Sequence, residues 1–356
     1  MNRFTCDGSY EADLKEYTEE ILEKSGVSSQ TAEREIMCMA DEGNTVAAKL
    51  YADLVFYKKI LRRNPYREAF SLYLRSADIT VDENGAWTCG GVSYPLSFWT
   101  IGYYLVNYRR ESFLQKCEAI GIIDAMTLTQ RLATALELAT ACITFINVSG
   151  AINLVGRILR EAAKDEEIFK ALLPVIRETV ADRDFPEISL KVTSCDTPAQ
   201  CSAIAELFFA TSAQEGYVYA CNNLAAREAN RIIRMSREGR DNEFLKECIM
   251  KYIHYLKISA DKYEPYAANR LGLFYMTGEI KGSEGKIIVK DYIDTAMAKD
   301  YFTKATVYPD ANSAWSFFNL IKYFHKDYDN NIELLNEHMD YIKELNPAVY
   351  DIAMEL

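Results

Sequence analysis

Apolar residues along this chain recur at the three- and four-residue spacing of one helical face. With Gly272 as position zero, Ala268, Leu271 and Tyr275 fall at −4, −1 and +3. The same frame recurs in six segments, whose zero positions are Ala52, Gly102, Gly156, Ala225, Gly272 and Phe318, and only Glu228 and Phe318 break the pattern. They lie about fifty residues apart, except that the fourth follows the third after roughly an extra helix. The pattern predicts a helical repeat.

A small residue at position zero predicts a close crossing with the next helix. After Gly272, the residues Ala298, Tyr301, Phe302 and Ala305 repeat the spacing, so they form the predicted partner. One helical hairpin cannot bury both of its faces and needs neighbours. The expected fold is therefore all-α, a right-handed α-solenoid of stacked antiparallel helix hairpins.

The clearest copy of the repeat spans residues 255–306. YLKISADKYEPYAANRLGLFYMTG has two small residues, Ser259 and Ala260, then Ala, Leu-Gly and Tyr, and AKDYFTKAT follows. This pattern resembles the Sel-one-like repeat, a relative of the tetratricopeptide repeat. The match is specific over 215–325, fair over 43–77 through REAFSLYLRSA, and weak between 95 and 180. The resemblance implies stacked helical hairpins that bind a protein partner.

Composition breaks suggest how the chain is organised. We expect an N-terminal helical cap over 1–42, divergent repeats over 43–180, a connecting loop over 181–198, and regular repeats with a C-terminal cap over 199–356. The loop is predicted because its sequence has two prolines and no helical period. One continuous solenoid is favoured over two domains.

Two shorter segments depart from the helical period. Near 79–94, Asn84-Gly85 lies between short alternating arms, which predicts a small β-hairpin or a turn-rich loop. GEIKGSEGK, after the Gly272 helix, lacks the spacing of a phosphate-binding loop and is interpreted as a flexible solvated loop.

Cysteine usage and hydropathy bear on location. The nine cysteines have no paired spacing and fit reduced thiols packed as small hydrophobes. The N-terminus shows no basic region followed by an apolar run, so the cytoplasm is the expected location. Residues 138–156 carry no charge, but they span a helix end, a turn and the next helix. A buried core hairpin is favoured there over a membrane span.

A search for catalytic and metal-binding patterns predicts no catalytic residues, no metal site, no cofactor and no enzyme. The three histidines lack a zinc-binding spacing. Cys195 and Cys201 flank a predicted helix start, where thiolate activation is one interpretation. No histidine is near them in sequence, so a structural pair is favoured over a catalytic solenoid.

The segment ILEKSGVSSQTAEREI resembles the turn of a DNA-binding helix-turn-helix, with Gly26 in the turn and Ser28 as the cap. Leu22 stands where that motif has a small residue, and Glu35 where it has an apolar one. The many glutamates here would repel phosphates, in a chain of net charge −12. A solenoid end cap is favoured, nucleic acid is not expected, and the alternative is a peptide- or ligand-sensing regulator.

A polar and aromatic stripe runs beside the predicted packing face. Position −3 holds Lys49, Trp99, Asn153, Asn222, Asn269 and Trp315, position −6 adds Tyr219 and Tyr266, and +1 adds Arg157. In related superhelices these positions line the concave surface, where asparagines can bond an extended peptide. Alternatively, each Asn bonds the neighbouring repeat. The expected function is a non-enzymatic scaffold that binds a protein or peptide.

Overall fold

The computed structural model describes residues 29–57, 60–91, 93–109, 114, 118–146, 148–180, 186–239, 242–329 and 331–355. The chain forms two compact units, residues 1–212 and 213–356. The predicted all-α fold with a small β-hairpin is confirmed, whereas the right-handed solenoid stays a prediction. The predicted N-terminal cap lies mostly outside the described residues, as does the helix-turn-helix-like turn at Gly26 and Ser28.

Unit 1 is built from helices with one small hairpin. Its described elements are α1 (Ser29–Asp41), α2 (Thr45–Phe56), α3 (Pro65–Ser76), β1 (Ile79–Val81), β2 (Trp87–Cys89), α4 (Pro95–Asn107), α5 (Gly121–Asp124), α6 (Leu128–Ile146), α7 (Ser149–Ala162), α8 (Glu166–Val180), α9 (Pro186–Thr193) and α10 (Pro198–Gln214). Several helices begin at a capping side chain or at a proline. Asn44 caps α2 by accepting a 2.9 Å hydrogen bond from Ala47 N, and Pro65 and Pro95 open α3 and α4.

The hairpin of unit 1 has a longer connection than the Asn-Gly pair predicts. Strands β1 and β2 are antiparallel, and Val81 pairs with Trp87. Asp82 N then bonds Ala86 O, and Asp82 O accepts from Gly85 N, both at 3.0 Å. Gly85 has φ +78°, a conformation that glycine adopts without strain. The turn is therefore a three-residue loop that ends at a left-handed glycine.

The uncharged stretch 138–156 is a pair of core helices, as expected. Helix α6 ends at Ile146, α7 begins at Ser149, and both are buried along most of their length. No helix among the described residues is long and apolar enough to cross a membrane.

The predicted loop over 181–198 contains a helix, which corrects that interpretation. Helix α9 begins at Pro186, where the missing amide hydrogen costs no helical hydrogen bond. Ile188 and Val192, one turn apart, are both buried, so packing stabilises a helix too short to persist alone. The proline that suggested a break is thus the first helical residue.

Helix α7 crosses α10, and the sequence did not predict this pairing. A Cβ at Gly156 would lie 2.8 Å from a ring atom of Phe209 and 3.0 Å from the carbonyl oxygen of Ala205. The buried hydroxyl of Ser212 also donates a 2.7 Å hydrogen bond to Ser149 O, at the start of α7. Helices α8 and α9 therefore lie in sequence between two paired helices, which accounts for the long interval before Ala225.

Unit 2 contains the segment in which the predicted repeat is clearest in the sequence. Its described elements are α11 (Val218–Arg237), α12 (Asn242–Ala260), α13 (Pro265–Thr277), β3 (Glu279–Gly282), β4 (Gly285–Ile288), a 3-10 turn (Lys290–Tyr292), α14 (Thr295–Lys304), α15 (Ser313–Tyr323), a second 3-10 turn (His325–Asp327), α16 (Ile332–Leu345) and α17 (Pro347–Ala353). Consecutive helices pack as pairs: α11 with α12, α13 with α14, and α15 with α16.

The predicted crossing at Gly272 is confirmed. A Cβ there would lie 2.5 Å from two ring atoms of Phe302, which is fully buried on α14. Only glycine lets the two helices approach this closely without displacing the ring.

A buried serine closes the helix pairs at their ends. Ser259 Oγ donates to Val218 O at 2.9 Å, joining the last turn of α12 to the first residue of α11. Ser76 makes the equivalent 2.6 Å bond to Thr45 O, between α3 and α2. Ser212 makes the third bond of this kind. These bonds explain why a small hydroxyl residue ends each of the three pairs, because a larger side chain would not fit in the space in which serine donates to the carbonyl.

The segment GEIKGSEGK forms a second antiparallel hairpin instead of the expected loop, and its turn is exposed to solvent. Gly278 ends α13 in the left-handed conformation at φ +74°, and strand β3 starts directly after it. Glu279 pairs with Ile288, and Gly282 pairs with Gly285 across a two-residue turn. The hairpin is anchored because the Ile280 side chain is fully buried in the core of unit 2. Alternation over four-residue strands was too short to detect in the sequence.

Candidate partner-binding surface

The site residues predicted in unit 1 are held by contacts between its helices. The Trp99 ring lies against the backbone of Gly150 at the start of α7, where a Cβ would come within 2.7 Å of it. Arg157 Nη2 donates a 2.5 Å hydrogen bond to Asn107 Oδ1, and its guanidinium lies 5.8 Å from the Tyr103 ring centre. Both side chains thus join α4 and α7.

Asn153 does not have the partial exposure expected of a groove residue. It is only 4% exposed, since α7 is buried on nearly every side. The reason is that α7 lies among several helices of unit 1, contacting α4, α6, α8 and α10. Asn153 therefore cannot meet a partner in this structure.

In unit 2, Asn222 links one helix pair to the next. Its Nδ2 on α11 donates a 2.9 Å hydrogen bond to Glu264 Oε2, and Glu264 is the N-cap of α13. The same carboxylate accepts from Ala267 N at 2.8 Å and from Tyr266 N at 3.2 Å. Burial raises the pKa of the Glu264 carboxyl, while these hydrogen bonds act in the opposite direction. Asn222 thus joins α11 to the beginning of α13.

Asn269 makes the equivalent link one repeat later. Its Oδ1 on α13 accepts hydrogen bonds from Ser316 Oγ and Asn319 Nδ2 on α15, both at 3.0 Å. Both donors are buried, so this oxygen satisfies groups that water does not reach. Asn222 and Asn269 therefore both make the alternative contact considered from the sequence, a hydrogen bond to the neighbouring helix pair. A role in partner binding stays a prediction.

Beside these two links lie three exposed aromatic side chains, here called the aromatic row: Tyr219, Tyr266 and Trp315. They are 55%, 39% and 40% exposed. Each belongs to the first turn of its helix, α11, α13 or α15. The hydrogen bonds of Asn222 and Asn269 hold these three first turns next to one another. Unit 2 therefore presents one large exposed aromatic group near the start of each of three helices, α11, α13 and α15.

Asn269 also retains unused hydrogen-bonding capacity beside the row. Its Nδ2 forms no hydrogen bond with any described residue, although its Oδ1 forms two. An amide nitrogen of this kind can donate to the carbonyl of an extended peptide.

Sequence reasoning found the row and both asparagines, but missed the groups that they bond. Glu264, Ser316 and Asn319 carry no periodic signal of their own. The available cue was the Glu-Pro pair that opens α13, since an acidic cap followed by proline marks a helix start. That cue identifies the cap, but it does not show that the cap also binds Asn222.

The cysteine pair considered for catalysis is unsuited to it. Cys195 and Cys201 are both buried, and burial raises the pKa of the Cys201 thiol to about 12. Burial also raises the pKa of Cys195. The thiol of Cys201 donates to Leu159 O at 3.4 Å. Because the thiolate is the nucleophile, neither side chain is activated at neutral pH.

Across the described part of the chain, no three His, Cys, Asp or Glu side chains form a potential metal site. No protein-family model matches the chain, and a search of curated proteins finds no match either.

Proposed function

We propose that this chain is a non-enzymatic scaffold of Sel-one-like helical repeats that binds an extended segment of a partner protein. The aromatic row of unit 2 is the observation that carries the proposal. Large aromatic side chains dominate the energy of protein interfaces, because they bury much apolar surface with few rotatable bonds. Three of them, one in the first turn of each of α11, α13 and α15 and each more than a third exposed, form a surface that a partner can cover.

The groups beside the row favour an extended peptide as the bound form. The first turns of α11, α13 and α15 recur along the row, and side chains likewise recur at regular intervals along an extended peptide. The free Nδ2 of Asn269 supplies a donor for a peptide carbonyl between the aromatic contacts. A scaffold of this type works by holding its partner and needs no acid-base pair.

We further propose a cytoplasmic location. The seven cysteines in the described part of the chain are free thiols. Free buried thiols are typical of proteins kept in a reducing compartment.

The test is selection of binders from a display library of random linear peptides against the immobilised full-length chain. Selected peptides are then synthesised with a fluorescent label and titrated with the wild type and with a triple variant, Tyr219→Ala, Tyr266→Ala and Trp315→Ala. We expect the triple variant to bind at least about tenfold more weakly, because interface aromatics contribute most of the affinity.

A matched control removes other exposed side chains of unit 2, through Met250→Ala, Ile332→Ala and Met354→Ala. We expect this control to bind the peptides like the wild type. Thermal denaturation should show that both triple variants fold. If the selected peptides bind the aromatic-row variant as tightly as the wild type, or if no peptide is selected, the proposed function is wrong.

A further inference from the structure

The β3–β4 hairpin of unit 2 lies on the same side of α11 as Tyr219 of the aromatic row. Along α11, Tyr219, Asn223, Asn230, Arg234 and Arg237 follow one another at steps of three, four or seven residues, which defines one helical face. Asn230 Oδ1 on this face accepts from Ser283 Oγ at 3.2 Å and from Glu284 N at 3.3 Å, both in the hairpin turn. The hairpin therefore lies further along the face that begins at Tyr219.

Helix α13 reaches the hairpin from the same side. Arg270, one turn beyond Tyr266, donates from Nη2 to the carbonyl of Lys281 in β3. Each of the first two aromatic-row residues is thus followed, along its own helix, by a side chain that binds the hairpin. The row and the hairpin are two parts of one surface.

Cationic side chains concentrate around the hairpin. We call this set the basic wall, and its members are Arg234, Arg237, Arg270, Lys281 and Lys286. Lys281 and Lys286 are directly paired across the two strands, and both are exposed. Like charges at paired positions of a hairpin destabilise it. This arrangement therefore opposes folding unless an anion lies nearby.

The chain's own carboxylates do not balance this charge. Glu279 lies 3.4 Å from Lys286 Nζ, and Glu284 lies 3.6 Å from Arg234 Nε. Arg237 instead donates to the carbonyl of Glu284 at 2.6 Å, and Arg270 donates to a carbonyl as well, so both keep their net charge. Among the described residues, Lys281 forms no ion pair with a carboxylate. The wall stays positive in a chain of net charge −12.

The distance between the two parts fits a short peptide. Eleven residues separate Tyr219 from Asn230 on α11, which corresponds to roughly 16 Å along the helix axis. An extended chain covers about 3.3 Å per residue, so roughly five residues connect the row to the wall.

We propose that the partner segment is acidic, with an aromatic or aliphatic residue on the aromatic row and Asp or Glu residues about five positions away on the basic wall. This inference rests on the proposed function and names the chemistry of its partner. Guanidinium and ammonium groups bind carboxylates by charge-assisted hydrogen bonds, and opposite potentials also speed association. The repulsion between Lys281 and Lys286 is relieved when such a segment binds.

The test uses the peptides selected on the wild-type chain. We expect them to be enriched in Asp and Glu relative to the library, at about five positions from an apolar residue. Their labelled forms should bind the double variant Lys281→Glu and Lys286→Glu about tenfold more weakly at low salt, with a smaller difference at physiological salt. The matched control, Lys246→Glu with Lys257→Glu, makes the same charge change on exposed positions of α12 and should bind like the wild type.

The outcomes separate this inference from the proposed function. One outcome would be peptides whose binding depends on the aromatic row, but which lack acidic residues and bind the charge-reversed variant as tightly as the wild type. That result would contradict the proposed acidic partner and would leave the scaffold function supported. In that case the lysines only protect the hairpin edges from pairing with other chains. Short single-stranded RNA and DNA are titrated in parallel. Tight binding of either one that displaces the peptide and is lost on charge reversal would assign the wall to nucleic acid and would overturn the inference.

Discussion

Ser212 Oγ donates a 2.7 Å hydrogen bond to the carbonyl oxygen of Ser149, so the last part of α10 is fixed to the first residue of α7. The serine side chain is fully buried, and the same contact occurs at Ser76 and Ser259. A buried hydroxyl that loses its acceptor has no access to water. This bond therefore joins the two helices of a pair at their ends.

Removal of this hydroxyl should reduce stability. We expect Ser212→Ala to lower the free energy of unfolding by about 0.5 to 1.5 kcal/mol, the usual net value of one hydrogen bond. Urea denaturation followed by circular dichroism measures the change. Ser236→Ala is the matched control, since Ser236 is an exposed helical serine and should change stability by less than about 0.5 kcal/mol. Equal effects of the two substitutions would show that the Ser149 bond contributes nothing.

The Gly272 crossing should not tolerate even a methyl group. Gly272→Ala places a Cβ 2.5 Å from Phe302, and we expect it to destabilise the chain by about 1 to 3 kcal/mol. Gly272→Leu should cost at least as much. This outcome opposes the intrinsic preference for alanine in helices, which favours the substitution by about 1 kcal/mol.

Two comparisons isolate the Gly272 effect in the same denaturation experiment. Gly121→Ala, where a Cβ would meet no atom within 4 Å, should be neutral or stabilising. Phe302→Leu combined with Gly272→Ala should cost less than the sum of the single changes, because the smaller side chain makes room. Additive effects would contradict the proposed clash.

Asn269 should be required for stability because of its bonds to α15. Asn269→Ala leaves the buried hydroxyl of Ser316 and the buried amide of Asn319 without their acceptor, at about 1 to 3 kcal/mol per group. Thermal and urea denaturation measure this loss. Asn336→Ala, at an exposed helical position, serves as the control and should be close to neutral. A variant that melts like the wild type but no longer binds the selected peptides would instead make binding the main role of Asn269.

Acid should weaken unit 2 through His338. Its ring lies 4.8 Å from Phe317, its Nδ1 lies 2.9 Å from the Tyr328 hydroxyl, and burial lowers its pKa below 6.5. The unfolded chain then binds the proton more readily than the folded chain. Stability is therefore present above the unfolded pKa of about 6.5 and is lost as pH falls through this value toward the folded pKa.

Urea unfolding at pH 7.5 and at more acidic pH, down to about 5.5, measures this loss. In His338→Gln the titrating group is absent, so its unfolding free energy should fall less over the same range. Parallel pH profiles for the wild type and the variant would show that His338 does not couple to folding.

Most of the helices and several of their crossing points follow from the sequence alone. A 3.6-residue period is a local property, and the small residues at Gly102, Gly156 and Gly272 mark where helices approach closely. The same period identified Asn222, Asn269 and the aromatic row, since all of them occupy fixed positions in the frame.

Which elements meet, and which polar groups find a hydrogen-bond partner, depends on the tertiary fold. Helix α10, not α8, pairs with α7, because the pairing depends on packing across two intervening helices. Asn153 and Asn269 occupy the same position of the frame. Asn153 is nevertheless buried, whereas Asn269 bonds α15, because the surroundings of each side chain depend on the neighbouring helices. The basic wall likewise forms when the hairpin folds back onto α11, a contact between residues about fifty positions apart that no local pattern encodes.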